Sequence, residues 1–215
     1  GAACLEVGSR VLAQASRCLL EEDLASSALC VGAVVGPYGR LEAVDCAFKD
    51  FQSHGILIQG GIVKLARCRI SGGTVGMALK RGGIHVGRLF LRDCFLVDSR
   101  EIGLQLPYAD ELQADAPACC NLINTCIAKS WYPVAQQTSS TDPDGWVQRR
   151  EDMVGLAFDA RCRFEELADD GEQDWRDFEN KSLGRSVYSF VTDLSDMYHE
   201  DLRQKEIKSR KDQWD

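Results

Sequence analysis

The sequence contains no apolar run approaching the ~20 residues a helix needs to cross a bilayer, so no direct membrane span is expected. Gly1 to Val7 carries neither a basic stretch nor a long apolar one, so no signal peptide is expected in that segment. There are three histidines, His54, His85 and His199, none at ligand spacing from another, and there is no Cys-x-x-Cys. The usual zinc patterns are therefore missing, and no metal or cofactor is expected. Gly32-Ala33-Val34-Val35-Gly36 and Gly82-Gly83-Ile84-His85-Val86-Gly87 lack a phosphate-loop lysine and a following helix, so their glycines read as turns. Charge excess is also absent from most of the chain. Residues 1–137 hold 13 acidic and 13 basic side chains, whereas residues 138–215 hold 20 and 12, which places the whole net charge of −8 in the last third. An acidic module repels phosphate backbones, so nucleic acid is not an expected partner.

What is abundant is cysteine, with ten residues. Most lie inside apolar runs, such as Asp45-Cys46-Ala47-Phe48 and Asp93-Cys94-Phe95-Leu96, not on loops at staple spacing. Free cysteine behaves as a small buried hydrophobe. Reduced thiols and an intracellular, cytoplasmic or organellar compartment are therefore expected, not secretion. Three segments share one frame: Leu41 to Phe48, Val63 to Ile70 and Leu89 to Leu96 each read apolar, any, apolar, two of any kind, Cys, any, apolar. Ala13, Ala15, Cys18 and Leu20 fit upstream. Ile123, Cys126 and Ala128 fit less well downstream. Each central Cys is followed by a short β-type run behind a glycine: His54-Gly55-Ile56, Val75-Gly76-Met77 and Ile102-Gly103-Leu104.

Short strands with period-two alternation have an inside and an outside. One coil cannot bury its own inner face, but coils stacked at about 4.8 Å pair in parallel and bury it together. Helices of 10–15 residues, which a βαβ fold would need, do not fit between these runs. The pattern predicts a mainly β chain, a right-handed parallel β-helix of about five coils over residues 1–137, with Cys18, Cys46, Cys68 and Cys94 stacked on one inner face. It resembles the right-handed parallel β-helix superfamily, which includes the pectate-lyase-like enzymes and the non-enzymatic repeats of F-box and cytokinesis-associated proteins. The strict six-residue period of a left-handed β-helix is not present.

Beyond that region, residues 138–145 read as a polar linker and residues 146–215 as an acidic, amphipathic α-helical extension. Met153, Ala157, Ala160, Phe164 and Leu167 fall on one face at helical spacing, and so do Val187, Val191, Leu194, Tyr198 and Leu202. Trp146, Trp175 and Trp214 lie in this extension, which is the expected partner-binding element.

The chemistry that the resemblance implies finds few matching residues. Calcium-dependent lyases need clustered carboxylates, whereas Asp45, Asp50, Asp93 and Asp98 are scattered, with Arg67 between the two that flank ladder cysteines; a surface charge ladder is expected instead. Ser53-His54-Gly55 and Arg69-Ile70-Ser71 echo two polygalacturonase motifs. The paired Asp of those enzymes is missing, however, and Asn124-Thr125-Cys126 puts Cys where a carboxylate is required. A Cys/His nucleophile pair would draw on thiols expected to face an apolar core, where the thiolate is disfavoured. The expected function is a non-catalytic structural or accessory subunit that meets protein partners through the extension and the β-helix faces. The alternative is a degenerate or unrecognised carbohydrate-active β-helix. An exposed groove holding aromatics and two or more carboxylates would favour that alternative.

Overall fold

The computed structural model describes residues 3–21, 30–112 and 117–166, all within one compact unit spanning residues 1–171. Its strands, numbered in chain order, form three six-strand parallel stacks. The first contains β1 (Ala3–Val7), β4 (Val31–Val35), β7 (His54–Gln59), β10 (Val75–Gly82), β14 (Ile102–Gln105) and β17 (Tyr132–Ala135). The second contains β2 (Leu12–Ser16), β5 (Arg40–Val44), β8 (Ile62–Ala66), β12 (Arg88–Arg92), β15 (Cys120–Ile123) and β20 (Leu156–Phe158). The third contains β3 (Leu19–Glu21), β6 (Ala47–Lys49), β9 (Arg69–Ser71), β13 (Phe95–Val97), β16 (Cys126–Ser130) and β21 (Arg163–Glu166). Each coil gives one strand to each sheet, so there are six coils where about five were expected. This arrangement of in-register parallel sheets is compatible with a parallel β-helix.

Register turns the sequence alternation into columns. In the third sheet Leu20, Phe48, Ile70, Leu96, Ile127 and Phe164 stack one above another. In the second, Ala13, Leu41, Val63, Leu89, Cys120 and Leu156 do the same. The four inner residues from Phe48 to Ile127 and the four from Leu41 to Cys120 have at most 0% exposure. Each large apolar side chain buried in this way contributes about 1.5–3 kcal/mol. Alternation gives each column its single apolar face, and stacking removes that face from water.

The passage from second to third sheet takes the same form in coil after coil: a residue at positive φ, then a ladder residue. Arg17, Asp45, Arg67, Asp93 and Asn124 have φ between 46° and 55°. Behind them stand Cys18, Cys46, Cys68, Cys94 and Thr125. Cys46, Cys68 and Cys94 are buried, and Cys18 is half-buried in the first coil. All ten cysteines are free thiols. Register places Thr125 opposite Cys94, because Cys126 pairs with Phe95. Cys126, which was expected to continue the ladder, is therefore one residue out, and Cys162 is the next ladder cysteine, since Arg163 pairs with Cys126. Thr125 fits because its hydroxyl repeats the thiols' bond. Cys46, Cys68 and Cys94 donate to the carbonyl two residues back at 3.3, 3.3 and 3.2 Å, and Thr125 donates to Ile123 at 3.1 Å.

The passage from first to second sheet is where the coils differ. It spans residues 8–11, 36–39 and 60–61 in the first three coils. In the fourth it carries a hairpin of β10 with β11 (His85–Val86), and in the fifth it occupies residues 106–119. In the sixth it occupies residues 136–155, including a hairpin of β18 (Gln137–Ser139) with β19 (Asp142–Trp146).

This last insertion corrects two expectations. The polar stretch 138–145 is hairpin, not linker. The residues from Met153 to Phe164 are not a helix face: after a 3-10 turn at Arg150–Asp152 they form β20 and β21, the sixth coil. Leu156 and Phe158 follow the period-two alternation of a strand, and paired edges on β15 and β16 supply the backbone partners that a helix would have had to make internally. The second expected helix face, Val187 to Leu202, and the anchors Trp175 and Trp214 lie outside the described residues. Among the described residues no helix is long and apolar enough to cross a membrane.

Candidate functional site

The residues that sequence chemistry singled out are distributed over several turns. Asp45 accepts a two-pronged bond from Arg67 at 2.6 and 2.9 Å. Asp93 accepts from the Asn124 amide at 2.7 Å. Asp98 lies 3.9 Å from Arg69 and 3.8 Å from Lys129. These are the rungs of a charge ladder along the turns, as the alternation of Asp45, Arg67 and Asp93 implied. His54 opens β7, with its Nδ1 2.7 Å from the Ser53 hydroxyl. Burial, with the charge of Lys80 nearby, lowers its pKa. His85 sits in the fourth-coil hairpin, and His199 lies outside the described residues. Among the described residues no group of three or more His, Cys, Asp or Glu side chains is gathered closely enough to hold a metal ion.

The thiols of Cys46 and Cys68 are held in their protonated form. The Cys68 thiol and burial push Cys46 well up; Cys68 is drawn down by Cys46, but the Cys94 thiol and burial outweigh this and push it up to about 12. A thiolate is the nucleophile in cysteine chemistry, and this environment disfavours it.

The surface with shape lies on the variable edge, where the first sheet hands over to the second. On the sixth-coil insertion a cleft of about 440 Å³ holds Tyr132, Trp146, Arg149, Arg150, Glu151 and Glu166. The Tyr132 and Trp146 rings are near-parallel, at 6° with centroids 6.1 Å apart. They remain 57% and 38% exposed, and the adjacent Trp131 is 65% exposed. Fully buried Gln136 fixes the insertion: its amide donates to Pro107 and Val154 carbonyls at 3.0 and 2.9 Å and accepts from the Val154 N–H at 2.8 Å. Arg150 lies over the Phe164 ring at 4.7 Å. The cleft thus rests on a buried polar clamp and combines aromatic faces with both signs of charge.

A second cleft, of about 590 Å³, lies along the same edge between the second-coil turn and the fourth-coil hairpin, with Tyr38, Arg81, Ile84, His85, Arg88 and Glu111 on its walls. The Tyr38 hydroxyl and His85 Nε2 are 2.6 Å apart, with the rings edge-to-face. Cys119 lies at its floor. Burial raises this thiol to about 11, with Arg88 pulling the other way. A shallower apolar groove of about 430 Å³ runs over the outer face of the second sheet, across Val44, Ala66, Phe90 and Ile123.

Neither cleft was legible as a site. Trp146 stood in the expected extension and Tyr132 in the fading end of the β pattern, and nothing in their spacing says that a hairpin brings them together. The available signal was compositional: Trp131, Tyr132 and Trp146 flank a stretch rich in turn residues. No family model, curated protein or solved structure matches this chain.

Proposed function

We propose that this chain is a non-catalytic binding subunit built on a right-handed parallel β-helix of the pectate-lyase-like superfamily, and that it engages a protein partner through its variable edge. Right-handedness follows the general rule for crossovers between parallel strands, obeyed in about 98% of cases. The observation that carries the function is the exposed, stacked pair Tyr132 and Trp146 beside Arg149 and Arg150. Trp, Tyr and Arg dominate interface hot spots because they combine large apolar area with a polar end. The apolar groove over Phe90 supplies a second contact face of the stack. Ten unpaired thiols fit a reducing compartment.

A second reading, binding of a polysaccharide, is favoured by the same cleft, because it holds two aromatics together with two carboxylates, Glu151 and Glu166. One experiment separates the two. The full chain and a Tyr132→Ala/Trp146→Ala variant are co-purified under native conditions, and both are titrated with neutral and acidic oligosaccharides. Loss of a stoichiometric protein partner in the variant, with no saccharide binding by either form, supports the subunit reading. Saccharide binding that the variant loses supports the second, and a partner retained unchanged by the variant removes this surface from the first.

A further inference from the structure

We propose that the cleft between the second-coil turn and the fourth-coil hairpin is a binding site for a phosphate or sulfate monoester, with the oxyanion held by Arg81 and Arg88. This site is separate from the aromatic cleft and does not depend on what binds there.

The stack does not need this hairpin. The third coil makes the same passage with Gly60 and Gly61 alone, while the fourth extends β10 through Lys80, Arg81 and Gly82 and folds back through β11. That excursion places Arg81, Ile84 and His85 on the wall of the cleft, and Arg88 enters from the first position of β12. Tyr38 faces them from two coils earlier. It holds φ at 60°, a left-handed conformation that is costly for an aromatic residue and that glycine would adopt freely. Arg10 holds φ at 61° at the equivalent place of the first coil's turn, so the turn itself sets this conformation; at Tyr38 it carries the 2.6 Å contact to His85, with the two rings edge-to-face.

Charge points to the ligand. Four arginines of the stack meet carboxylates: Arg40 with Glu42, Arg67 with Asp45, Arg69 with Asp98 and Arg161 with Asp159. Among the described residues Arg81 and Arg88 have no such ion pair. Arg81 uses only its Nε, donating to the Gly83 carbonyl at 2.9 Å, which leaves the rest of its fork for a ligand. Among the described residues, two guanidiniums and an imidazole line the cleft with a single carboxylate, Glu111. A guanidinium offers paired donors in a plane that matches a tetrahedral oxyanion. Ile62, Ile84 and Val86 line the rest of the cleft, and Ile84 is 79% exposed, so an apolar wall is available to the organic part of an ester. That ester group occurs on soluble metabolites and on lipid headgroups alike.

The test uses the full chain in calorimetric titrations with inorganic phosphate, inorganic sulfate, glucose 6-phosphate and glucose. A parallel sedimentation assay uses phosphatidylcholine vesicles with and without a phosphorylated inositol lipid. Glucose 6-phosphate is expected to bind, inorganic phosphate to compete with it, and glucose to be inert. Arg81→Gln and Arg88→Gln should each weaken binding about tenfold, since a charge-assisted pair is worth roughly one such step. Both side chains are exposed, so unchanged circular dichroism is expected, and Arg100→Gln, on an exposed residue elsewhere, should bind as the parent does. Binding to the lipid vesicles alone, lost in the two arginine variants, assigns the ester to a headgroup and keeps the site. No oxyanion bound in any form at millimolar concentration, or equal binding by parent and arginine variants, overturns the proposal.

Discussion

At the scale of single residues, the ladder shows what the interior of a coil asks of a side chain: small volume and one weak donor aimed at the carbonyl two residues back. Cys68, fully buried between Cys46 and Cys94, meets both demands. Cys68→Ser keeps the donor and should lower the urea midpoint only slightly. Cys68→Asp places a carboxylate with no partner in the core and should cost several kcal/mol. Equal midpoints for the two variants would show that the position is not a core rung. Thr125 explains why the fifth rung was misread. The frame runs without a break from Cys120 through Leu122 to Ile127 with Thr at the ladder place, but a reading that followed cysteine alone slipped to Cys126.

The Asp159 carboxylate, at the last of these turns, accepts the Asn124 N–H at 3.0 Å, and this bond is the main cause that holds its pKa down to about 2. An unfolded Asp titrates near 3.9. Its contribution to stability is therefore complete above about pH 4 and is lost as pH falls towards about 2. In Asp159→Asn, urea midpoints measured between those limits should fall less steeply with acid than in the parent, and an identical slope would assign the acid sensitivity elsewhere.

Among the elements, the first sheet is legible for a reason visible in its glycines. Gly32, Gly55, Gly76 and Gly103 follow the opening residue of successive strands, and a side chain at any of them would meet the next coil. A Cβ on Gly55 would sit 2.6 Å from the Gly76 carbonyl oxygen, and one on Gly76 would sit 2.6 Å from that of Gly103. The constraint is space, not dihedral freedom, so the glycine before each β run is a packing requirement written into the sequence. Gly76→Ala should cost about 1–3 kcal/mol in thermal or chemical unfolding. A neutral result would mean that the coils separate easily. Where an element was misassigned, at Met153 to Phe164, helical spacing matched by coincidence. The long insertion before β20 moved the sixth coil out of the repeat spacing, and the ladder turn there, residues 159–162, is longer than in the other coils.

For the whole molecule, the stack extends to Glu166, and the fragment boundary moves with it. A chain ending at residue 137 would keep β17 but lack β20 and β21, leaving β15 and β16 with unpaired edges and Leu122 and Ile127 with less cover. A chain ending at residue 171 keeps both. The longer fragment should melt at a higher temperature and bind less of a hydrophobic dye; equal melting would show that the sixth coil adds no stability. Architecture could be read from the sequence because the same few residues recur at every turn. The clefts could not be read, because they are built from insertions that occur once each and whose neighbours are set by folding and not by repetition.

The uniform turn into the third sheet also makes the chain divisible. Cys46 and Cys68 occupy the same place in consecutive coils, each behind a residue at positive φ. Joining Asp45 directly to Cys68 would excise one whole circuit, and the strands on either side of the cut would meet in the register they already use. Chain length in this protein is therefore counted in circuits: loss or duplication of one is a smaller disturbance than loss of a single residue within it, which would turn every later side chain of that strand from core to solvent.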